Sequence, residues 1–255
     1  MKADNIAKKM DKIRAALAQK RDVLVAFSGG VDSSVVASLA YDALAERASA
    51  ITIDSGLSSP RELEGTKQVA AEIGIPHRIV KLDMLAHPKF VQNPPDRCYH
   101  CKKRMLSALG KVAGTSTIVD GTNASDLDEN RPGYRALKEF DVFTPLLDFG
   151  VSKSEAKEMA VRLNLPNANK PSESCMATRI PCGQRITKDK LRQIRDAEEF
   201  LRSKGITDIR VRHNGNLACM ELYKDDMQII ITNADGILKK FREIGFERIS
   251  HKLRV

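Results

Sequence analysis

The sequence has no tryptophan, four tyrosines and eight phenylalanines. A surface that stacks unpaired bases needs several exposed rings, so a platform for single-stranded nucleic acid is poorly supported. No apolar run approaches the ~20 residues that cross a bilayer. The N-terminal stretch, Met1 to Arg21, is charged and amphipathic, with Ile6, Met10, Ile13 and Leu17 on one stripe. It lacks the apolar segment of a secretory signal, so the expected location is cytoplasmic, with no membrane contact. Five cysteines in a reducing compartment point to metal binding or catalysis before disulfides. Internal repeats and low-complexity segments are absent. So are two familiar phosphate-binding signatures, the Walker A ending Gly-Lys-Ser/Thr and the dinucleotide fingerprint Gly-x-Gly-x-x-Gly.

The chain has 255 residues, enough for one or two domains with a substantial core. Hydrophobic residues are 42% and charged ones 29%, the balance of an ordinary globular protein. The formal net charge of +9 is uneven: residues 179–255 carry +6 and residues 1–178 carry +3. A basic second half suits an anionic partner, either a phosphorylated small molecule or RNA.

Up to about residue 165 the pattern alternates strand and helix. Strand-like runs are Val23–Phe27, Ala50–Asp54, Arg78–Leu82, Thr117–Asp120 and Val142–Leu146. Helical patterns lie between them, at Val31–Ala45, Pro60–Ile73, Tyr99–Val112 and Pro132–Glu139. A further helix covers Ser154–Leu163, with Ser152 or Ser154 as its cap. Alternation of this kind predicts an α/β fold, a parallel sheet with helices on both faces. Ligands then gather at the strand C-termini. Residues 166–184 have no clear period and form a connector. Residues 185–255 read as a small α+β domain: a helix over Lys188–Lys204 ended by Gly205, strands Asp208–His213 and Leu217–Tyr223 around an Asn214-Gly215-Asn216 turn, a helix near Asn233–Ile244 and a last strand, Arg248–Leu253. The expected division is therefore 1–165, 166–184 and 185–255.

The most informative stretch follows the first strand: Ser28-Gly29-Gly30-Val31-Asp32-Ser33-Ser34. Glycines allow strained backbone angles and close approach to a ligand. The first N–H groups of a helix have no internal partners, and the helix dipole favours an anion there. Ser28, Ser33 and Ser34 add hydroxyls, and Asp32 a carboxylate suited to Mg²⁺. The stretch resembles the PP-loop of the ATP pyrophosphatases, which cleave ATP between its α and β phosphates and adenylate a substrate. Asp54 and Ser55, at the second strand end, are expected to border the adenine.

The cysteines make the second constellation. Cys98 and Cys101 stand in Cys-Tyr-His-Cys, followed by Lys102, Lys103 and Arg104. Such a pair serves iron–sulfur clusters and zinc alike, and nearby cations favour thiolate. Cys175, in the connector, is the candidate third ligand, and Cys182 could be a fourth. Three ligands would leave one iron of a four-iron cluster open; four would close the site. Cys219, inside a strand pattern, reads as a small buried hydrophobe. The five histidines carry little weight; His100 alone lies among the candidate ligands.

Ser28–Ser34, the Asp120-Gly121-Thr122-Asn123 strand end with Asp126 and Asp128, Arg131-Pro132-Gly133, and Ser-Cys175-Met-Ala-Thr-Arg-Ile-Pro together resemble the LarE family. The resemblance runs through most of the chain. It implies an ATP-dependent sulfur transferase of nickel-pincer nucleotide biosynthesis, with a pyridinium dicarboxylate mononucleotide as substrate, a small molecule rather than a nucleic acid. ATP would adenylate a carboxylate and sulfur would displace AMP. With Cys98, Cys101 and Cys175, the chain looks like the variety that holds a [4Fe-4S] cluster; Cys175 itself is the other candidate sulfur source. The resemblance also implies several subunits per assembly, a Mg²⁺ role for Glu221 beside Asp32, and a nucleotide contact at Gly121. The substrate phosphate needs a cationic clamp. Arg210 and Arg212 alternate along one strand and share a face; with Arg179 they are the candidates. The main rival is a PP-loop tRNA thiolase, favoured by the basic second half; the Cys175 segment counts against it. A non-enzymatic nucleotide sensor with a four-cysteine zinc site is the rival from another class.

Overall fold

A computed structural model describes residues 2–128, 132–171 and 174–254. They form two compact units, one of residues 2–83 and 96–171, the other of residues 84–95 and 174–254. In chain order the first unit opens with α1 (Lys2–Ala18), β1 (Val23–Ala26), α2 (Val31–Leu44), β2 (Ala48–Asp54), α3 (Pro60–Ile73) and β3 (His77–Lys81). The second unit claims α4 (Pro88–Val91). The first resumes with α5 (Arg97–Ala113), β4 (Thr117–Val119), α6 (Ser125–Asp128), α7 (Gly133–Glu139), α8 (Pro145–Asp148) and α9 (Lys153–Arg162). The second is completed by α10 (Lys188–Ser203), β5 (Arg210–Asn214), β6 (Leu217–Leu222), α11 (Met227–Thr232), α12 (Ala234–Ile244) and β7 (Arg248–Leu253). No helix among the described residues is long and apolar enough to cross a membrane.

The first unit is built on a parallel sheet in the order β3-β2-β1-β4. Side chains alternate across it. Val23 and Val25 join the core under α1, α2 and α9, while Leu24 joins the core under α5 and α7. Burial on both faces explains why β1 reads as a continuous apolar run. The helix starts are written locally. Ser59 and Glu62 form a reciprocal cap on α3 behind Pro60, and Ser152 does the same with Glu155 on α9. Of the two candidate caps, Ser152 is therefore the one used.

One strand expectation fails. Over Val142–Leu146 only a single parallel bridge, Val119 to Phe143, forms among the described residues. Pro145 then opens α8. Proline has no N–H to extend a ladder, and its fixed φ suits a first helical position. At α5 the helix starts at Arg97, a little before the expected Tyr99, so Cys98 lies inside it.

In the second unit β5 pairs antiparallel with β6, and β6 pairs parallel with β7. One face of this sheet presents Val211, Ala218, Met220 and Leu222 to Ala197 and Leu201 of α10 and to Ile237, Phe241 and Ile244 of α12. The other face carries Arg210, Arg212, Cys219 and Glu221, all partly exposed. Cys219 is thus not the buried hydrophobe expected; it falls on the outward register of an alternating strand. α11 is an additional helix within the expected helix–strand order. Residues 84–95 belong here because Asn93 donates from Nδ2 to the carbonyl of Pro181 at 2.7 Å, and Ile186 donates to the Val91 carbonyl at 2.8 Å.

Candidate active site

The chain runs from β1 to β2 and β3 on one side and returns to β4 on the other, so the end of β1 is a topological switch point. The loop Ser28–Gly30 and the start of α2 occupy that point. Gly29 takes φ +69, and a Cβ there would lie 2.8 Å from Thr66 Cγ2, so glycine is required on both counts. The loop is closed by its own hydroxyls. Ser34 donates to the Gly30 carbonyl at 2.8 Å, Ser33 donates to it at 3.1 Å, and the Ser28 and Ser33 oxygens lie 3.0 Å apart. Ser33 donates to a carbonyl, so Ser28 is the donor between the two hydroxyls. Ser33 and Ser34 are buried. Their hydroxyls, which the sequence offered to a ligand, shape the loop instead. What remains at the start of α2 for an anion is backbone N–H. Asp32 stands half-buried in the first turn of α2.

The end of β4 presses against this loop. A Cβ on Gly121 would sit 2.7 Å from the Ser33 nitrogen and 2.9 Å from the Asp32 carbonyl carbon. Beside it, buried Asp120 accepts from Lys102 Nζ at 2.5 Å and from the Thr122 hydroxyl at 2.5 Å. Burial pushes the Asp120 carboxyl up, but the Lys102 ammonium, its hydrogen bond and those from Thr122 outweigh it and hold the carboxyl below its usual range. Lys102 belongs to α5, the helix that carries Cys98 and Cys101. One ion pair therefore fastens the cysteine helix to the strand end that backs the phosphate loop. Sequence reasoning noted Lys102 only as a nearby cation.

Cys98 is exposed and Cys101 half-buried; neither is in a disulfide. Three residues apart in the first turns of α5, they lie on one side of the helix. The Arg97 guanidinium lies 3.6 Å from Cys98 Sγ, and Cys101 Sγ lies 3.8 Å from Met105 Sδ. Within neither unit do three His, Cys, Asp or Glu side chains of the described residues converge as a metal site. Asp54 turns its carboxylate back onto the Gly56 N–H at 3.1 Å, and Ser55 beside it is buried. Asn123 is buried, and its Nδ2 has no hydrogen-bond partner among the described residues. Arg131 and the side chain of Asp128 lie outside the described residues.

In the second unit, Cys175 is exposed at the head of a short helical turn, Met176–Arg179. Arg179 is buried. It donates from Nε to Glu198 at 2.9 Å, and from Nη1 to the Ser174 carbonyl at 2.6 Å and the Cys175 carbonyl at 3.3 Å. It therefore holds the turn that presents Cys175. Glu198 also accepts from the Val211 N–H at 3.0 Å and from Arg202 at 3.1 Å. Sequence reasoning missed Glu198, since a glutamate on an amphipathic helix reads as a solvated residue. Arg212 donates to the Thr178 carbonyl at 2.6 Å and pairs with Glu221 at 3.0 Å. Glu221, expected at a metal, is thus neutralised by an arginine. These side chains, with Cys219, Asn214 and Pro181, line an open groove of about 320 Å³. Arg210 shares their sheet face, opposite Glu221 in the register.

Comparison with known proteins fits this geometry. Residues 5–172 match the family model of NAD synthase. An uncharacterized protein of Synechocystis is 37% identical over 93% of this chain and 91% of its own length. One of Methanocaldococcus jannaschii is 34% identical, with 97% of each chain covered. The pyridinium-3,5-bisthiocarboxylic acid mononucleotide synthase of Lactiplantibacillus plantarum is 30% identical over 96% of this chain and 90% of its own.

Proposed function

The chain belongs to the NAD synthase family of PP-loop enzymes, and from that premise we propose that it is an ATP-dependent sulfur transferase acting on a carboxylated pyridinium mononucleotide. One observation carries the chemistry. At the switch point of the sheet, a loop closed by its own serine hydroxyls leaves the first backbone N–H groups of α2 for a polyphosphate. The relative's name supplies the substrate class.

A carboxylate does not accept a sulfur nucleophile directly, because the leaving group would be oxide. In the proposed reaction a carboxylate oxygen attacks the α-phosphorus of ATP, and pyrophosphate leaves with the bonding pair. The start of α2 holds that pyrophosphate. A sulfur nucleophile then attacks the acyl carbon, and AMP departs with the former carboxylate oxygen. Arg210 and Arg212 are assigned to the substrate's phosphate. Arg179, buried on Glu198, is assigned to orienting Cys175.

Two inorganic groups belong to this reading. The half-buried Asp32 carboxylate beside the loop would hold Mg²⁺, which when bound supplies charge for the departing pyrophosphate. Cys98 and Cys101, on one side of α5 and outside any disulfide, would supply two thiolates to the [4Fe-4S] cluster that the family resemblance implies; when bound, the cluster supplies a place for sulfide. The assembly expected from the family resemblance, several copies of this chain, belongs to the same reading.

The test is product analysis with ATP and the dicarboxylate mononucleotide. AMP and pyrophosphate, formed only when the mononucleotide is present, are expected; ADP and phosphate would reject the reading. Mass spectrometry of the protein after turnover then separates the sulfur sources. A loss of roughly 34 Da at Cys175, the mass of H₂S, marks sacrifice of that cysteine; an unchanged mass assigns the sulfur to the cluster. Binding of tRNA with a steep salt dependence, in place of mononucleotide turnover, would favour the thiolase.

A further inference from the structure

The phosphate loop has a support that neither the motif nor the family resemblance names. Asn167, in the turn after α9, is 6% exposed. Its Nδ2 donates to the Gly29 carbonyl at 2.9 Å and to Ser34 Oγ at 2.9 Å. Both partners are acceptors here, because the Ser34 hydroxyl proton is spent on the Gly30 carbonyl at 2.8 Å. Chemistry therefore sets the amide orientation: the reverse placement would put the Asn167 oxygen against two acceptors. That oxygen, Oδ1, is buried with no partner among the described residues. A buried acceptor without a partner is unfavourable. Asparagine at this position is explained by its two donor bonds, which alanine or leucine cannot make and a serine hydroxyl cannot make together.

What those bonds do follows from the backbone. Gly29 stands at φ +69, and Gly30 is extended at φ −80 and ψ 164. The peptide between them is held at both ends: Asn167 takes the Gly29 carbonyl, and the Gly30 N–H donates to Ser28 Oγ at 3.3 Å. A Gly29 carbonyl without its donor can rotate, and glycine gives such rotation little steric resistance. Through Ser34 the same amide ties this peptide to the first turn of α2.

We propose that Asn167 is a positioning residue of the triphosphate site: its amide ties the Gly29 carbonyl to Ser34 and so fixes the loop that sets the direction of the first backbone N–H groups of α2. This rests on the reading of the loop as a polyphosphate cradle, and the probe is chosen to tell the two apart. Magnesium pyrophosphate is titrated calorimetrically into the full wild-type chain, Asn167→Ala and Asn167→Leu. All are measured at a temperature at which circular dichroism shows the native fold. Leucine keeps the side-chain volume and carries the test if the alanine variant does not fold. The expected result is tight binding by wild type and a loss of about tenfold or more in both variants. Melting curves without ligand give the control. Variants that melt lower but bind pyrophosphate as wild type does would overturn the inference, since that is what a merely structural asparagine would do. A wild-type chain that binds no pyrophosphate would overturn the polyphosphate cradle itself.

Discussion

The Arg179–Glu198 pair offers a quantitative test of how the Cys175 turn is held. Their side chains are 7% and 5% exposed, and the contact is 2.9 Å. Glu198→Ala leaves the guanidinium buried without its carboxylate and takes the acceptor from the Val211 N–H. Breaking a buried pair from one side costs about 3–5 kcal/mol, and an orphaned buried N–H costs about 1–3 kcal/mol. The two losses share a site and do not add, so the expectation is about 4 kcal/mol. Replacing both partners, Arg179→Met with Glu198→Leu, removes the charges together and should recover the part of the loss that comes from the unpaired guanidinium, leaving the cost of about 1–3 kcal/mol of the orphaned Val211 N–H. Urea titration of the full chain gives the stabilities. Alkylation of Cys175, followed by mass spectrometry, gives the local effect: its rate should rise above wild type in the double variant, because the bonds from Arg179 to the Ser174 and Cys175 carbonyls are gone. A loss below about 1 kcal/mol for Glu198→Ala would place the pair among solvated surface bridges and refute the reasoning.

Gly121→Ala should abolish ATP-dependent pyrophosphate release and lower stability by about 1–3 kcal/mol, because the new methyl would meet backbone of α2 at 2.7 Å; kinetics and melting of the variant check this. Acid should act in two steps. His77 and His213 are held below their ordinary value of 6.5 by burial first, then by Lys67 and Lys190 respectively. The unfolded chain therefore takes up protons first, and stability falls as pH drops below that value. The depressed Asp120 carboxyl contributes stability that is lost only as pH falls below the ordinary carboxylate range. Urea midpoints across pH should show both steps, and His77→Gln with His213→Gln should remove the first. Phe241→Ala, at a fully buried position of the second unit, should cost about 3–5 kcal/mol in urea titration.

The sequence made the phosphate loop legible because strand, glycine turn and helix start are contiguous. The small sheet was legible because Asn214-Gly215-Asn216 is a local turn signal between alternating strands. The supporting contacts were not legible because they span long distances along the chain. Asn167 reaches Gly29 across 138 residues, and Asn93 reaches Pro181 across 88; no local pattern announces either. Cys219 was misjudged because an alternating strand does not say which of its faces is covered. Around Phe143 the apolar residues of Val142–Leu146 read as a strand, but Pro145 starts a helix there and leaves a single bridge.

Transfer of a labelled oxygen tests the adenylation step most directly. The mononucleotide is prepared with heavy oxygen in its carboxylates and turned over once with unlabelled ATP. One heavy oxygen in each AMP formed and none in pyrophosphate is the expected result, because the attacking carboxylate oxygen leaves with the AMP when sulfur takes its place. AMP free of label, or label in the pyrophosphate, would contradict it.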